Sequence, residues 1–324
     1  MMFGLRVRWL SVAKEKVTMT TIRNKYLSGQ KLTMVTAYDF SSGSLVDQAG
    51  ADLVLVGDSV GMVCLGMDST TGVTMEHMVH HCMAVSRGVQ RAFVVGDLPF
   101  GSYLDEGDAL RNSVRLVQTG GVASVKLEGG FRVIKQVQAV VQAGIPVLGH
   151  IGLTPQTASS LGGFKVQGKS AEAAVRLFDD AQALQEAGVW GIVLEAVPDR
   201  IADYITRKLK IPTIGIGAGP KTSGQVQVFH DILGLYDKFQ PKFSKRYARL
   251  GSLAVSALNQ YVTEVRGLDF PEAPHHTFSI KQAEYDMFVQ ALNDRKSQDS
   301  DSESSDDESD LDSDEEQLPL YTIN

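Results

Sequence analysis

Six polar side chains in this chain stand at or near the end of a short apolar run. They are Asp58, Asp97, Lys126, Glu128, His150 and Glu195. Such runs predict buried strands, and the carboxyl ends of parallel strands meet at one edge of a sheet or one mouth of a barrel. Carboxylates, a lysine and a histidine gathered at one mouth have the chemistry to bind a cation and an anionic substrate and to move a proton.

Asp58 and Asp97 follow neighbouring predicted strands, so we expect their carboxylates to lie close together. Two like charges at short range are costly unless a cation or a proton lies between them. Hard oxygen ligands with no Cys or His cluster nearby favour Mg²⁺ over zinc. Strand alternation puts Asp58 on the face of Val54 and Val56, and Asp97 on the face of Val95. The alternative is that each aspartate only caps the helix or turn that follows it.

Lys126 and Glu128 stand two residues apart on one predicted strand, so their side chains point the same way. A lysine beside a divalent cation suits a substrate carboxylate, whereas a plain Lys126–Glu128 ion pair is the alternative. Glu195 has apolar neighbours on both sides, which makes it a candidate general base. For His150, an ordinary hydrogen-bonding role is at least as well supported as catalysis.

Eight apolar runs predict the strands that would position these residues. They occupy residues 32–39, 54–59, 93–100, 124–130, 146–152, 191–198, 211–219 and 226–234. Amphipathic patterns predict helices at 74–87, 111–119, 131–143, 172–187 and 199–209. Eight strand–helix units in about 220 residues fit one α/β domain, a (β/α)8 TIM barrel. An open doubly wound sheet is disfavoured because the first strand–helix turn has no GxGxxG and the polar strand ends are spread over most strands.

The two ends of the chain distort its net charge of −7. Residues 299–316 hold 11 acidic and no basic side chains, and without them the net charge is +4. Leaving out the first 20 residues as well gives 27 basic against 26 acidic side chains. A core so close to neutral offers no electrostatic support for nucleic-acid binding. The chain also has no run of 18 apolar residues, so no membrane span is expected.

Three zones follow from these patterns. Residues 1–20, with spaced basic residues and one acid, are typical of a mitochondrial presequence; a frayed extension of a cytoplasmic protein is the alternative. Residues 21–290 are predicted to form the barrel. Residues 291–324, which contain the Ser- and acid-rich run, are predicted to be a disordered tail. Cys64 and Cys82 lack metal-site spacing and are expected to be buried thiols in a reducing compartment.

Nine segments, taken in order, resemble one enzyme family. They are TAYD (36–39), VGDSVGMVCLGMDST (56–70), GDLPFGSY (96–103), VKLEGG (125–130), GHIGLTPQ (149–156), GGFKVQGK (162–169), LEAVP (194–198), IGIGAG (214–219) and PKFSKRY (241–247). Together they resemble the ketopantoate hydroxymethyltransferases, also called 3-methyl-2-oxobutanoate hydroxymethyltransferases. The resemblance implies a TIM barrel of the phosphoenolpyruvate/pyruvate-binding type.

The resemblance also implies roles for individual residues. The aspartates of GDS and GDLPF bind Mg²⁺ in that family, which points to Asp58 and Asp97, and Glu128 of VKLEGG completes the metal environment. The implied substrate-binding residues are Asp58, Ser59, Asp97 and Lys126. The glutamate of LEAVP, here Glu195, is the implied proton acceptor.

The implied reaction transfers a hydroxymethyl group from 5,10-methylenetetrahydrofolate to 3-methyl-2-oxobutanoate through a Mg²⁺-stabilised enolate. The product is 2-dehydropantoate, in the first step of pantothenate biosynthesis, and the family assembles as a homodecamer. Two alternatives stay open: another Mg²⁺-dependent enolate lyase or mutase on the same barrel, and a non-catalytic paralogue whose acidic tail recruits a partner. A KKCGH-like loop would favour the lyase or mutase, and the sequence contains none.

Overall fold

Eight parallel strands close into a barrel in the computed structural model of this chain, which describes residues 15–236 and 238–302. The strands are β1 (Leu32–Thr36), β2 (Leu53–Val56), β3 (Phe93–Asp97), β4 (Ser124–Glu128), β5 (Val147–Gly152), β6 (Gly191–Glu195), β7 (Thr213–Ile216) and β8 (Gly224–Gln227). They pair in sequence order, and β8 pairs with β1 to close the barrel. The predicted barrel is therefore confirmed, and the open doubly wound sheet is wrong.

One helix precedes β1, others lie between most successive strands, and three follow β8 within the described residues. They are α1 (Met19–Leu27), α2 (Phe40–Gln48), α3 (Val60–Val63), α4 (Met75–Gly88), α5 (Glu106–Gln118), α6 (Ile134–Gln142), α7 (Ala171–Glu186), α8 (Asp199–Lys208), α9 (Phe229–Leu233), α10 (Leu250–Gly267) and α11 (Gln282–Ser302). All five predicted helices are present. Thr74 caps α4, because its side chain accepts a hydrogen bond from the His77 N–H.

The last predicted strand, residues 226–234, is wrong over most of its length. Strand β8 ends at Gln227, and α9 follows at once. The Phe229 N–H donates to Thr36 Oγ1 at 2.9 Å, and Gly234 ends the helix with a left-handed φ of 64°. A short apolar run fits a strand and a buried helical turn equally well, so the pattern could not separate the two.

Alternate residues of each strand point into the barrel, and their polarity changes along the strand. In β3 the buried interior positions are Phe93 and Val95, and Asp97 comes next on that face. In β5, Leu148 is followed on the same face by His150. The apolar residues thus fill the amino-terminal part of the barrel, while the polar residues collect at its carboxyl-terminal mouth, where barrel enzymes carry their active sites.

Asp58 reaches this mouth by a different route from the predicted one. Val54 and Val56 lie in the outer core, together with Met78 of α4, so strict alternation would turn Asp58 outward as well. Strand β2 ends at Val56, and the chain turns before Asp58. The Asp58 N–H then donates to Asp97 Oδ2 at 3.0 Å. The predicted shared face of Val54, Val56 and Asp58 is therefore wrong, whereas the shared face of Val95 and Asp97 is confirmed.

The folded region begins before residue 21. Val17 is only 2% exposed, and its N–H donates to the Arg91 carbonyl at 2.8 Å. Ile22 of α1 packs in the same apolar cluster as Leu32 and Leu53, the first residues of β1 and β2, so α1 closes the amino-terminal end of the barrel. Most of the predicted presequence, residues 1–14, lies outside the described residues, and its targeting role stays a prediction.

The chain divides into two compact units after residue 255. Helix α11 continues to Ser302, so residues 291–302 of the predicted disordered tail are helical. Strong helix formers (Ala, Leu, Arg and Lys) occur in residues 291–296 of this stretch. Residues 303–324 lie outside the described residues.

Within the described part, no helix is long and apolar enough to cross a bilayer. Both cysteines are free thiols; Cys82 is buried as expected, but Cys64 is exposed and its predicted burial is wrong.

Ile22→Ala should lower the free energy of unfolding by about 2–5 kcal/mol, because it empties a closely packed end of the barrel. Leu27 lies on the same helix but is 68% exposed. Leu27→Ala is therefore a matched control and should change the stability by less than about 0.5 kcal/mol. Urea unfolding of both variants measures the difference. Equal small effects would show that α1 does not close the barrel.

Candidate active site

The carboxyl ends of the strands bring the predicted polar residues into one cavity of about 330 Å³. Among the residues that line it are Asp58, Ser59, Asp97, Lys126, Glu128, His150 and Glu195. Five of these residues are at most 4% exposed, namely Asp58, Asp97, Lys126, Glu128 and His150. The Glu195 side chain is 16% exposed, so it is the most accessible carboxylate of the group.

Asp58 and Asp97 form a buried carboxylate pair. The Asp58 N–H donates to one oxygen of Asp97, and Lys126 Nζ lies 3.0 Å from the other. Burial raises the pKa of Asp58 well above its usual range, and the charges of Asp97 and Glu128 raise it further. Burial also raises the pKa of Asp97, although Lys126 opposes this effect. The pair is costly to keep ionised without a further positive charge.

Lys126 lies among three carboxylates. Burial alone would lower the pKa of Lys126, but the charges of Asp97, Glu128 and Asp58 outweigh it and raise the pKa above its usual value. The amine lies closer to Asp97 Oδ1, at 3.0 Å, than to Glu128 Oε1, at 3.7 Å. The side chains of Lys126 and Glu128 point the same way, as predicted. The alternative of a simple Lys126–Glu128 ion pair is incomplete, because the amine lies closer to Asp97.

His150 joins two glutamates. Its Nδ1 lies 3.2 Å from Glu128 Oε1, and its Nε2 lies 3.2 Å from Glu195 Oε2. Burial would lower the pKa of His150, but the charge of Glu128 outweighs it and raises the pKa to about 9. Burial would raise the pKa of Glu128, yet His150 and Lys126 bring it below its usual value. The imidazole therefore lies between two carboxylates, a position that favours its protonated form.

Sequence reasoning missed the polar residues that support this group. Gln156 is 3% exposed; its Nε2 donates to Asp58 Oδ2 at 2.8 Å, and its backbone N–H donates to Glu128 Oε2 at 3.1 Å. The hydroxyl of Ser59 lies 2.8 Å from that of Tyr38. Gln156 follows the β5 end in GHIGLTPQ, so its place just after a polar strand end was the available signal.

The outer part of the cavity is lined by residues that were not assigned to the site either. They include Phe164, Lys165, Tyr236, Phe239, Lys242 and Phe243. Phe164 and Phe239 are 60% and 63% exposed. No ion pair links either lysine to an acid within the described residues. The cavity therefore has a charged inner end and an aromatic, cationic mouth.

Asp58, Asp97 and Glu128 are the residues that the resemblance implies as ligands of Mg²⁺. Among the described residues, no group of three or more His, Cys, Asp and Glu side chains is arranged to enclose a metal ion. Mg²⁺, however, is commonly held by one or two carboxylates, with water and substrate oxygens completing its octahedron. Asp58 and Asp97 fit that requirement. Both oxygens of Glu128 already have partners in the protein. Oε1 lies near His150 Nδ1 and Lys126 Nζ, and Oε2 accepts a hydrogen bond from the backbone N–H of Gln156.

Comparison with known proteins places the chain in a family. The family model for ketopantoate hydroxymethyltransferase matches residues 16–273. The chain belongs to this family. A 3-methyl-2-oxobutanoate hydroxymethyltransferase from Nitratidesulfovibrio vulgaris is 55% identical over 268 residues, which cover 82% of this chain and 87% of that protein. Its namesake from Heliobacterium modesticaldum is 51% identical, over 82% of this chain and 96% of that protein. These relatives are bacterial and give the predicted mitochondrial location no support.

Solved structures of more distant proteins share the family's fold. Phosphonopyruvate hydrolase, in complex with oxalate and Mg²⁺, has a TM-score of 0.53 and 13% identity, over 86% of this chain and 98% of that chain. 2,3-Dimethylmalate lyase, a member of the PEP mutase/isocitrate lyase superfamily, has a TM-score of 0.51 and 15% identity, over 89% and 98% of the two chains. At such identities the likeness shows the fold alone. It confirms the predicted barrel type.

Lys126→Met should lower the free energy of unfolding by about 3–5 kcal/mol, because it leaves buried carboxylates without their cation. The orphaned carboxyls would then have pKa values above those of the unfolded chain. Protonation relieves them at low pH, so the loss of stability should be larger at pH 8 than at pH 5. Lys135→Met, at an exposed position of α6, is the matched control. A deficit that does not grow with pH would contradict the assigned charges.

Proposed function

We propose that this chain transfers a hydroxymethyl group from 5,10-methylenetetrahydrofolate to 3-methyl-2-oxobutanoate, giving 2-dehydropantoate. Membership of the ketopantoate hydroxymethyltransferase family supports this reaction. The observation that carries it is one cavity in which Glu195 faces the same space as Asp58, Asp97 and Lys126. A base and an anion-binding group that share one space are what proton removal next to a 2-oxo acid requires.

The inner end of the cavity would hold the 2-oxo acid. Lys126 offers a positive charge to the substrate carboxylate, and the Ser59 hydroxyl, held by Tyr38, offers a hydrogen bond. Asp58 and Asp97 would hold Mg²⁺, with Glu128 behind them. When bound, Mg²⁺ supplies Lewis-acid polarisation of the 2-oxo group. The two aspartates accept no proton in this scheme. Their role is to bind Mg²⁺ and so to orient the 2-oxo acid.

Glu195 would remove the proton from C3 of 3-methyl-2-oxobutanoate. Its side chain is the most accessible carboxylate of the site, and His150 fixes one of its oxygens. Both ring nitrogens of His150 face carboxylates, and the second oxygen of Glu195 has no hydrogen-bond partner among the described residues, so it can face the substrate. The resulting enolate carbon attacks the methylene group of the folate. Both carbon–nitrogen bonds of that methylene group break: the new carbon–carbon bond replaces one, and a hydroxyl from water replaces the other. The proton taken up by Glu195 and the second proton of the water go to the two folate nitrogens.

The mouth of the cavity would receive the folate. Aromatic faces such as those of Phe164 and Phe239 suit a flat heteroaromatic ring. Lys165 and Lys242 at the same mouth suit the carboxylates of a glutamate tail. The 2-oxo acid is small, so a cavity of about 330 Å³ leaves space beside it for the reacting end of a second molecule.

The two alternative functions lack a specific observation in their favour. The relatives at 51–56% identity carry the hydroxymethyltransferase name, and none of those described is called a lyase or mutase. A non-catalytic paralogue would be expected to lose part of the charged group. Here the carboxylates, the lysine and the histidine are all present and in contact.

We also propose that the chain forms a homo-oligomer, as the family does. Helix α10 has no buried residue, although apolar side chains lie along one of its faces. These are Leu258, Tyr261, Val262 and Val265, which are between 39% and 62% exposed. A helix with such a face gains most of its stability when the face is covered. Light scattering should give a molar mass several times that of the single chain; a monomer would contradict the proposal.

The enolisation step is testable without folate. With Mg²⁺ and no folate, the enzyme should exchange the C3 proton of 3-methyl-2-oxobutanoate for solvent deuterium, which proton NMR detects. Glu195→Gln keeps the shape of the side chain but cannot accept a proton. Its exchange rate should fall by a factor of about 10²–10⁴, while binding of the oxo acid survives.

Two outcomes would contradict the proposal. Exchange at the wild-type rate in Glu195→Gln would move the base elsewhere, with His150 as the next candidate. Exchange that persists in Asp97→Asn without any dependence on Mg²⁺ would remove the metal from the reaction. Glu186→Gln, at the carboxyl end of α7 and away from the cavity, is the control and should exchange at the wild-type rate.

A further inference from the structure

Gln156 uses every polar group of its side chain within the site. It lies in a short 3₁₀ turn after β5, and it is 3% exposed. Its Nε2 donates to Asp58 Oδ2 at 2.8 Å and to the Leu98 carbonyl at 2.9 Å. Its Oε1 accepts a hydrogen bond from the Tyr103 hydroxyl. One buried amide thus connects the residues that follow β2, β3 and β5.

The partners determine which way this amide is turned. The Leu98 carbonyl can only accept, so the NH₂ group must face it, and Oε1 must face Tyr103. The Tyr103 hydroxyl donates to Oε1 and so opposes a flip of the amide. The carbonyl is itself part of a fixed frame, because the Leu98 N–H donates to the Lys126 carbonyl at 3.0 Å. The direction of the Nε2–H toward Asp58 is therefore set by the barrel.

This arrangement leaves one oxygen of Asp58 for a cation. Gln156 occupies Oδ2, and Oδ1 has no hydrogen-bond partner among the described residues. An amide is neutral, so it orients the carboxylate without adding the positive charge that would compete with a metal ion. A lysine in its place would neutralise the aspartate. The backbone N–H of Gln156 holds Glu128 Oε2 at the same time, which ties the spacing of the two carboxylates to one residue.

We propose that Gln156, oriented by Tyr103, is a positioning residue that fixes Asp58 for metal binding. The inference rests on the Asp58–Asp97 metal site of the proposed function. It adds that the metal affinity depends on a neutral side chain, 98 residues away in sequence, that does not itself bind the metal.

The direct measurement is Mn²⁺ binding to the full-length protein, with neither oxo acid nor folate present. Mn²⁺ prefers the same oxygen ligands as Mg²⁺, and its free form is counted by electron paramagnetic resonance. Gln156→Met keeps the length of the side chain but removes the donor, and it should weaken Mn²⁺ binding by about 10–100-fold. Tyr103→Phe keeps the ring but frees the amide to flip, and it should weaken binding less, in the same direction.

Thr154→Val is the matched control. Thr154 is 5% exposed next to the same turn, and among the described residues its hydroxyl has a hydrogen-bond partner only in Thr157. The variant should bind Mn²⁺ as the wild type does, even where its melting temperature falls. Loss of affinity in Gln156→Met alone separates positioning of Asp58 from general loosening of the turn.

Asp58→Asn and Asp97→Asn distinguish this inference from the metal site. If both bind Mn²⁺ like the wild type, the two-aspartate site is wrong and the inference falls with it. If both lose binding while Gln156→Met keeps wild-type affinity, only the inference is wrong. Should Gln156→Met fail to fold, Tyr103→Phe decides, since wild-type affinity in that variant also overturns the proposal.

Discussion

The burial of charge at one end of the barrel is the constraint on which the rest of the structure depends. Asp58, Asp97 and Glu128 are at most 4% exposed, and the buried cations beside them are Lys126 and His150. Removing such groups from water costs several kcal/mol for each ion, which only well-placed opposite charges recover. Burial raises the pKa values of Asp58 and Asp97, so this pair is costly to ionise without a further positive charge. The fold keeps these groups together at the inner end of one cavity.

Strand register is what makes this arrangement possible. Asp97 pairs in register with Lys126, and Glu128 pairs with His150, so opposite charges lie side by side on neighbouring strands. A shift of one residue would turn each of these side chains out of the barrel. The apolar interior below them, closed by α1, resists such a shift. Stability is thus concentrated at the amino-terminal end and chemistry at the carboxyl-terminal end, the usual division in this fold.

The cavity itself divides along its depth. Charged groups lie at its inner end, and aromatic side chains lie at its mouth beside two lysines that form no ion pair within the described residues. The Glu195 side chain is 16% exposed, and its Oε2 lies 3.2 Å from His150 Nε2. This intermediate exposure separates Glu195 from Asp58, Asp97 and Glu128, which are almost fully buried.

The sequence by itself determined seven of the eight strands, five of the eleven helices among the described residues, the family, and the side-chain directions of Asp97 and Lys126. Those features follow from local periodicity and from polar residues at strand ends. Tertiary structure alone decided that Asp58 turns inward and that α9 replaces most of the last predicted strand. It also decided that Gln156 holds Asp58, a contact across 98 residues. Local patterns report the period and the end of an element, but they carry no information about which distant donor meets which acceptor once the barrel closes.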